Sequence, residues 1–202
     1  MTRVLVTGFE PFADSPVNPS QRLAEELAAR PPAGVELETA VLPVSYARAA
    51  AELRAAVHAA DPRVVVCFGQ ADGRAGISVE RFALNLDDAA NVDNEGASSG
   101  SPVEPGGPAA YRSTLPVDGI VAALRAAGIP AAASRDAGGF LCNHVFYTLM
   151  RVLERERPGT PGGLVHVPPL PEQVLEQPVA SMPLDVLVRG GAIVLEVAAQ
   201  DA

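Results

Sequence analysis

Residues 138–151, GGFLCNHVFYTLMR, place a cysteine where a glycine-broken loop gives way to the apolar spacing of a helix. A thiol attacks as its thiolate, and a helix N-terminus lowers a thiol's pKa through unpaired amides and the positive end of the helix dipole. The same amides can hold an oxyanion. Cys142 therefore reads as a nucleophile for acyl transfer, a reaction that also needs a base, usually histidine, and an acceptor that fixes the base's tautomer. Cys67, inside the unbroken run VVVCFG, reads instead as a small core hydrophobe.

Three histidines are available. His144 follows Cys142 by two residues on the same helix, so it points to another face. His58 lies near the end of an alanine-rich helix, an ordinary place for a positive charge. His166 ends the strand GLVHVP before a proline-rich loop, and in open α/β sheets sites assemble at the carboxyl ends of strands. His166 is the candidate base. For its orienting acid, alternation along ISVERFALNL puts Glu80 on the side of Phe82, Leu84 and Leu86, where a carboxylate needs a partner. Asp87, Asp88 and Asp93 remain rivals, Asp93 foremost.

The elements that must position these groups alternate along the chain. Strands are expected at 3–9, 35–44, 63–69, 77–86, 129–134 and 163–168, and helices at 19–30, 45–61, 117–128, from Cys142 onward, and at 181–200. This rhythm predicts an α/β fold, a single-domain α/β/α sandwich over 1–202 with a mostly parallel central sheet. The last helix takes Ser181 as N-cap, and the Gly/Ser/Pro-rich segment 95–112 reads as an exposed, mobile loop.

Composition narrows the functional classes. Net charge is −9 and all 15 basic residues are arginine, which gives no basic track for nucleic acid. No apolar run is long enough for a membrane span and no signal peptide opens the chain, so a cytoplasmic protein with reduced thiols is expected. No zinc-like Cys/His spacing or phosphate-binding glycine motif is present, and no metal or organic cofactor is expected. The missing phosphate motif also argues against a related α/β/α enzyme such as a nucleoside phosphorylase.

Four segments, VTGFEPF with NPS (6–20), GQADGRAGISVERFALNLDDA (69–89), DAGGFLCNHVFY (136–147) and HVPPLPEQ (166–173), closely resemble the type I pyroglutamyl peptidases in order and spacing. The resemblance runs over roughly residues 3–198. It implies cysteine-dependent removal of N-terminal pyroglutamate from peptides by an α/β/α enzyme that in bacteria is commonly a homotetramer. The family's roles fall on Cys142 as nucleophile, His166 as general base and acid, and Glu80 as its orienting residue. Phe9 and Phe12 become the apolar walls for the lactam ring, with Asn18 and Gln70 nearby. Such a ring is small, flat and uncharged, which suits an apolar slot with a few amide groups.

One departure matters most. Where the family usually reads DARIPDN, this chain reads Asp88-Ala89-Ala90-Asn91-Val92-Asp93-Asn94, so the usual arginine is Ala90. By comparison with oxyanion-hole deletions, losing a cation that assists the reaction costs on the order of 2–4 kcal/mol. Either Arg74 or Arg81 replaces it, or the substrate has changed, or the protein is a weak or inactive member that binds pyroglutamyl or otherwise capped peptides. Pro169 and Asp136 are lesser departures.

Overall fold

The β-branched run at the N-terminus forms strand β1 (Thr2–Phe9) of a computed structural model that describes residues 1–13 and 15–200. Asp14 and residues 201–202, which the expected 1–202 domain includes, lie outside the described residues. Helix α1 (Pro19–Ala29) is capped by Asn18, whose side chain accepts from the Ser20 amide, and opens on a proline whose missing N–H costs nothing there. There follow β2 (Val35–Leu42), α2 (Ala49–Ala60), β3 (Val64–Gln70), β4 (Ile77–Glu80), β5 (Phe82–Leu84) and β6 (Ala110–Arg112). The chain continues through α3 (Val117–Ala126), β7 (Ala131–Ser134), α4 (Leu141–Glu156), β8 (Gly162–Val167), a 3₁₀ turn at Pro171–Gln173, and α5 (Leu184–Gln200). Among the described residues no helix is long and apolar enough to cross a membrane.

Six strands form one sheet in the order β2-β1-β3-β8-β4-β7. Every neighbouring pair is parallel except β8 and β4. The fold is thus α/β with a mostly parallel sheet. Strand residues alternate between two apolar cores: Val4, Val6, Val66 and Phe68 pack with residues of α1, α3 and α5, while Leu5, Val65, Cys67 and Leu164 pack with residues of α2 and α4. Burial on both faces explains why β1 and β3 read as continuous apolar runs rather than alternating ones.

Four expected elements differ in detail. The strand expected at 77–86 breaks at Arg81, whose amide bonds Ser134 O while its carbonyl accepts from the Ser113 amide. Beyond that point the chain leaves the main sheet and β5 pairs antiparallel with β6. Alternation therefore fails across the break: Glu80 is fully buried, whereas Phe82, Leu84 and Leu86 are exposed. The segment 95–112 ends in β6 and is tied down, since Glu104 exchanges hydrogen bonds with Asn85 and pairs with Arg151.

Ser181 is not the cap of the last helix. The Leu187 amide bonds Pro183 O, and Met182 is buried with its amide on Pro169 O. The 45–48 segment is a turn in which Ser45 O accepts from the Arg48 and Ala49 amides ahead of α2. The paired glycines of α5 have a packing reason, because a Cβ on Gly190 would sit 2.5 Å from Ile77 Cδ1 and one on Gly191 2.9 Å from Leu23 Cδ1. Their low helix propensity is offset by a close approach to the sheet and α1.

Gly8 lets the start of α1 cross β1 at contact distance. A Cβ there would lie 2.6 Å from the Ser20 carbonyl carbon and 2.9 Å from the Gln21 nitrogen, backbone atoms that cannot swing aside. Gly8→Ala is expected to destabilise the protein by about 2 kcal/mol. Thermal unfolding followed by circular dichroism should show a melting temperature lower by about 4–8 °C.

Candidate active site

Strand pairing brings the first two groups together. His166 is in register with Gly69 of β3 on one side and Ser78 of β4 on the other. Glu80 is two residues beyond Ser78 on the same face, so it reaches the imidazole diagonally and its Oε1 lies 2.8 Å from His166 Nδ1. A carboxylate accepts, so Nδ1 carries the proton and Nε2 is left as the basic nitrogen. Both side chains are buried, Glu80 wholly.

Helix α4 brings the third. A Cβ built on Gly69 would lie 2.6 Å from Cys142 Sγ, 3.4 Å from His166 Cδ2 and 3.6 Å from His166 Nε2. The thiol and the Nε2 edge of the imidazole therefore share the space above this glycine. Gly69 escaped the sequence reading, although a glycine closing an apolar strand is a recognised signal for close approach.

The loop before α4 is built to deliver the sulfur. Gly138 adopts φ +76°, with its amide on Asp136 Oδ1, and a side chain on Gly139 would run into the Asp88 carboxylate. Phe140 then enters the helix extended, and no side chain caps it. The amides of the first turn are thus left without a side-chain acceptor beside Cys142. Asn143 fastens this turn to the chain after β4, accepting from the Leu84 amide and donating to Leu84 O and Leu86 O.

The electrostatics differ from the expectation of a depressed thiol pKa. Burial pushes the Cys142 thiol up to about 12, with Cys67 and Glu80 adding to the effect and Arg74 opposing it. Burial also pushes His166 below its ordinary value, against the pull of Glu80 in the opposite direction. Desolvation thus favours a neutral thiol and a neutral imidazole, although Cys142 keeps part of its surface exposed at the cavity.

A cavity of about 240 Å³ opens onto the sulfur. Phe9 and Phe12 line it, together with Val44 and Phe140, which the sequence reading did not single out. The Phe12 and Phe140 rings lie 6.3 Å apart, and Tyr46 meets Phe140 edge-on at 5.7 Å. Asn18 and Gln70 also line the cavity, but both are partly committed elsewhere. Asn18 caps α1 and donates to Glu10 O; Gln70 donates to Asp72 and accepts from Gln173.

The rival acids have other partners. Asp87 lies 2.8 Å from His144 Nδ1, a second buried pair on the opposite side of α4's first turn. Asp93 accepts from the amides of Tyr46, Glu95 and Ala97; burial raises its carboxyl, but these three donors win and hold it below its ordinary value. Asp88 is exposed, and His58 pairs with Glu156 at the surface. Ala90 is exposed immediately after two amides, of Asp88 and Ala89, that bind Gly139 O. Arg81 is turned away onto Asp118, whereas Arg74 lines the cavity.

Residues 2–201 match the family model described as pyroglutamyl peptidase. The chain is 52% identical to a pyrrolidone-carboxylate peptidase of Gloeobacter violaceus over 197 residues, 96% of each chain. It is 47% identical to one from Streptomyces coelicolor, covering 99% of this chain and 93% of the relative. Among solved structures, the pyroglutamyl peptidase I of Bacillus amyloliquefaciens superposes with a TM-score of 0.96 at 39% identity, covering 99% of this chain and 98% of the other.

Alkylation provides a direct test of the neutral couple. Because the thiol sits near 12, the iodoacetamide modification rate of Cys142 should keep climbing as pH is raised through about 10. A plateau reached below about pH 7 would mean a preformed thiolate and contradict this account.

Proposed function

The chain belongs to the pyroglutamyl peptidase family, a family of cysteine-type omega-peptidases, and on that premise we propose that it removes N-terminal pyroglutamate through a thioester on Cys142. One observation carries the assignment of roles: the sulfur and the imidazole converge over Gly69, with a buried carboxylate behind the ring. The lactam ring sits among Phe9, Phe12, Val44 and Phe140, with Asn18 and Gln70 at the edge supplying amide complementarity. The scissile carbonyl then faces Cys142.

In this reading His166 Nε2 takes the thiol proton as sulfur attacks the carbonyl carbon, so charge develops only during the step. The oxyanion falls to the uncapped amides of α4's first turn. Glu80 holds Nδ1–H and stabilises the imidazolium that forms. Collapse of the tetrahedral intermediate breaks the C–N bond, and His166 gives its proton to the leaving amine. Water, deprotonated by the same nitrogen, attacks the thioester carbonyl; pyroglutamate leaves and the sulfur recovers its proton. A neutral imidazole at rest suits this sequence, because it must accept a proton in both halves.

The reading includes a single catalytic domain, a cytoplasmic site of action and assembly into a homo-oligomer, a tetramer by family likeness. Phe82, Leu84 and Leu86 offer support for assembly, since they expose apolar side chains along and just beyond β5. A second reading rests on Ala90. It leaves uncharged the position beside the Gly139 loop where relatives usually carry arginine, and it favours a protein that binds pyroglutamyl peptides and turns them over slowly or not at all.

A pyroglutamyl-aminomethylcoumarin substrate separates the two. Cleavage is expected, falling by roughly 10⁴-fold or more in Cys142→Ala and His166→Ala, and by about 10²–10⁴-fold in Glu80→Gln. Full activity in Cys142→Ala would end the proposal. Stoichiometric binding without turnover, with turnover recovered in Ala90→Arg, would establish the binding reading instead.

A further inference from the structure

Arg74 stands in the connection between β3 and β4 and reaches both halves of the candidate site. Its Nη1 donates to Glu80 Oε1 at 2.6 Å, the same oxygen that accepts from His166 Nδ1. Its Nη2 donates to Asp136 O at 2.5 Å, at the head of the loop that leads into α4 and Cys142. Among the described residues it is the only arginine lining the cavity, and it keeps one quarter of its side-chain surface exposed there.

We propose that Arg74 is a positioning residue that locks the Glu80 carboxylate onto His166 and ties that pair in register with the loop carrying Cys142. The inference rests on the peptidase reading and extends it, because the reaction then depends on a fourth side chain. Glu80 is fully buried and its Oε2 has no hydrogen-bond partner among the described residues. Its hydrogen bonds are the two on Oε1, one from His166 Nδ1 and one from Arg74 Nη1. Among the described residues Arg74 contributes the only guanidinium in contact with it.

The fork geometry matters as much as the charge. One guanidinium nitrogen holds the carboxylate while the other holds a backbone carbonyl 62 residues away in sequence. A lysine supplies a charge but no planar pair of donors, so it replaces one function and not the other. The chain lacks the usual arginine at position 90, and Arg81 is engaged with Asp118. Of these three positions, Arg74 is the one that puts a cation at the cavity. Its field acts on both reacting groups in the same sense: it favours the thiolate over the thiol and the neutral imidazole over the imidazolium. The titratable and charged groups facing His166 are Glu80 of β4, Arg74, Asp136 of the loop before α4, and Cys142 of α4 itself.

The test compares wild type, Arg74→Met and Arg74→Lys by two readouts. Imidazole nitrogen NMR follows His166 directly, which is tractable with three histidines. Without the cation the His166–Glu80 pair takes up its proton at higher pH, so the His166 titration and the acid limb of kcat/KM should both move up by about one pH unit in Arg74→Met. In that variant kcat for the coumarin substrate should fall by about 10- to 100-fold with a smaller change in KM, because Arg74 lines the cavity at the Glu80–His166 pair rather than among the four apolar residues assigned to the lactam ring. Arg74→Lys should restore the titration but only part of kcat.

A His166 titration unchanged in Arg74→Met would overturn the proposal, as would a kcat loss that follows lowered thermal stability while the acid limb stays in place. If the wild type cleaves no pyroglutamyl substrate, the peptidase reading falls. The His166 titration then still decides the positioning role: a shift reversed by lysine sustains it, and no shift refutes it.

Discussion

Burying the Glu80 carboxylate is the constraint around which the rest of the site is arranged. An isolated charge in a protein interior costs far more than folding leaves available, so it persists only with donors already in place. Two side chains meet it at one oxygen, His166 at 2.8 Å and Arg74 at 2.6 Å. The first requires β4 to lie against β8, and the second requires the β3–β4 connection to pass across the carboxyl end of β8. That antiparallel pairing of β4 with β8, the exception in an otherwise parallel sheet, places the acid within diagonal reach of the imidazole.

The sulfur is placed by a different set of interactions. Gly138 turns the chain through a left-handed conformation, Gly139 passes close to Asp88, and Asn143 bonds the backbone of Leu84 and Leu86. These contacts seat the first turn of α4 over Gly69. On the far side of the same turn, the buried Asp87–His144 pair and the Tyr46 ring, 5.5 Å from His144, fill the space between α4 and the loops. The break at Arg81 serves this arrangement too. It releases residues 82–89 from the main sheet, and they then become the surface on which the helix start rests.

The resting charge state follows from this packing. A helix N-terminus favours a thiolate, but its effect is worth about 1–2 kcal/mol at best, and burial under protein atoms opposes it more strongly. The result is a couple that stays neutral until a substrate carbonyl draws the proton across. Such a site resembles a hydroxyl nucleophile with its histidine more than a preformed thiolate–imidazolium pair. The apolar side chains of Phe9, Phe12, Val44 and Phe140 line the cavity onto which both groups open.

Local chemistry written in the sequence was enough to identify the layered α/β class, the helix N-terminus at Cys142 and His166 at a strand end; the carboxylate at position 80 was reached through an alternation with Phe82, Leu84 and Leu86 that the break at Arg81 interrupts. These are short-range signals: apolar periodicity, capping and glycine placement act within a few residues, so they survive in the linear order. What lay beyond reach came from groups far apart in sequence. The strand break at Arg81 depends on Ser134 and Ser113, the start of α5 on Pro169, and the need for glycine at position 69 on two side chains arriving from α4 and β8. Arg74 and the neutral thiol likewise emerge only on folding, because burial and the distances between charges do not exist in an extended chain, and those two quantities set the electrostatics of the site.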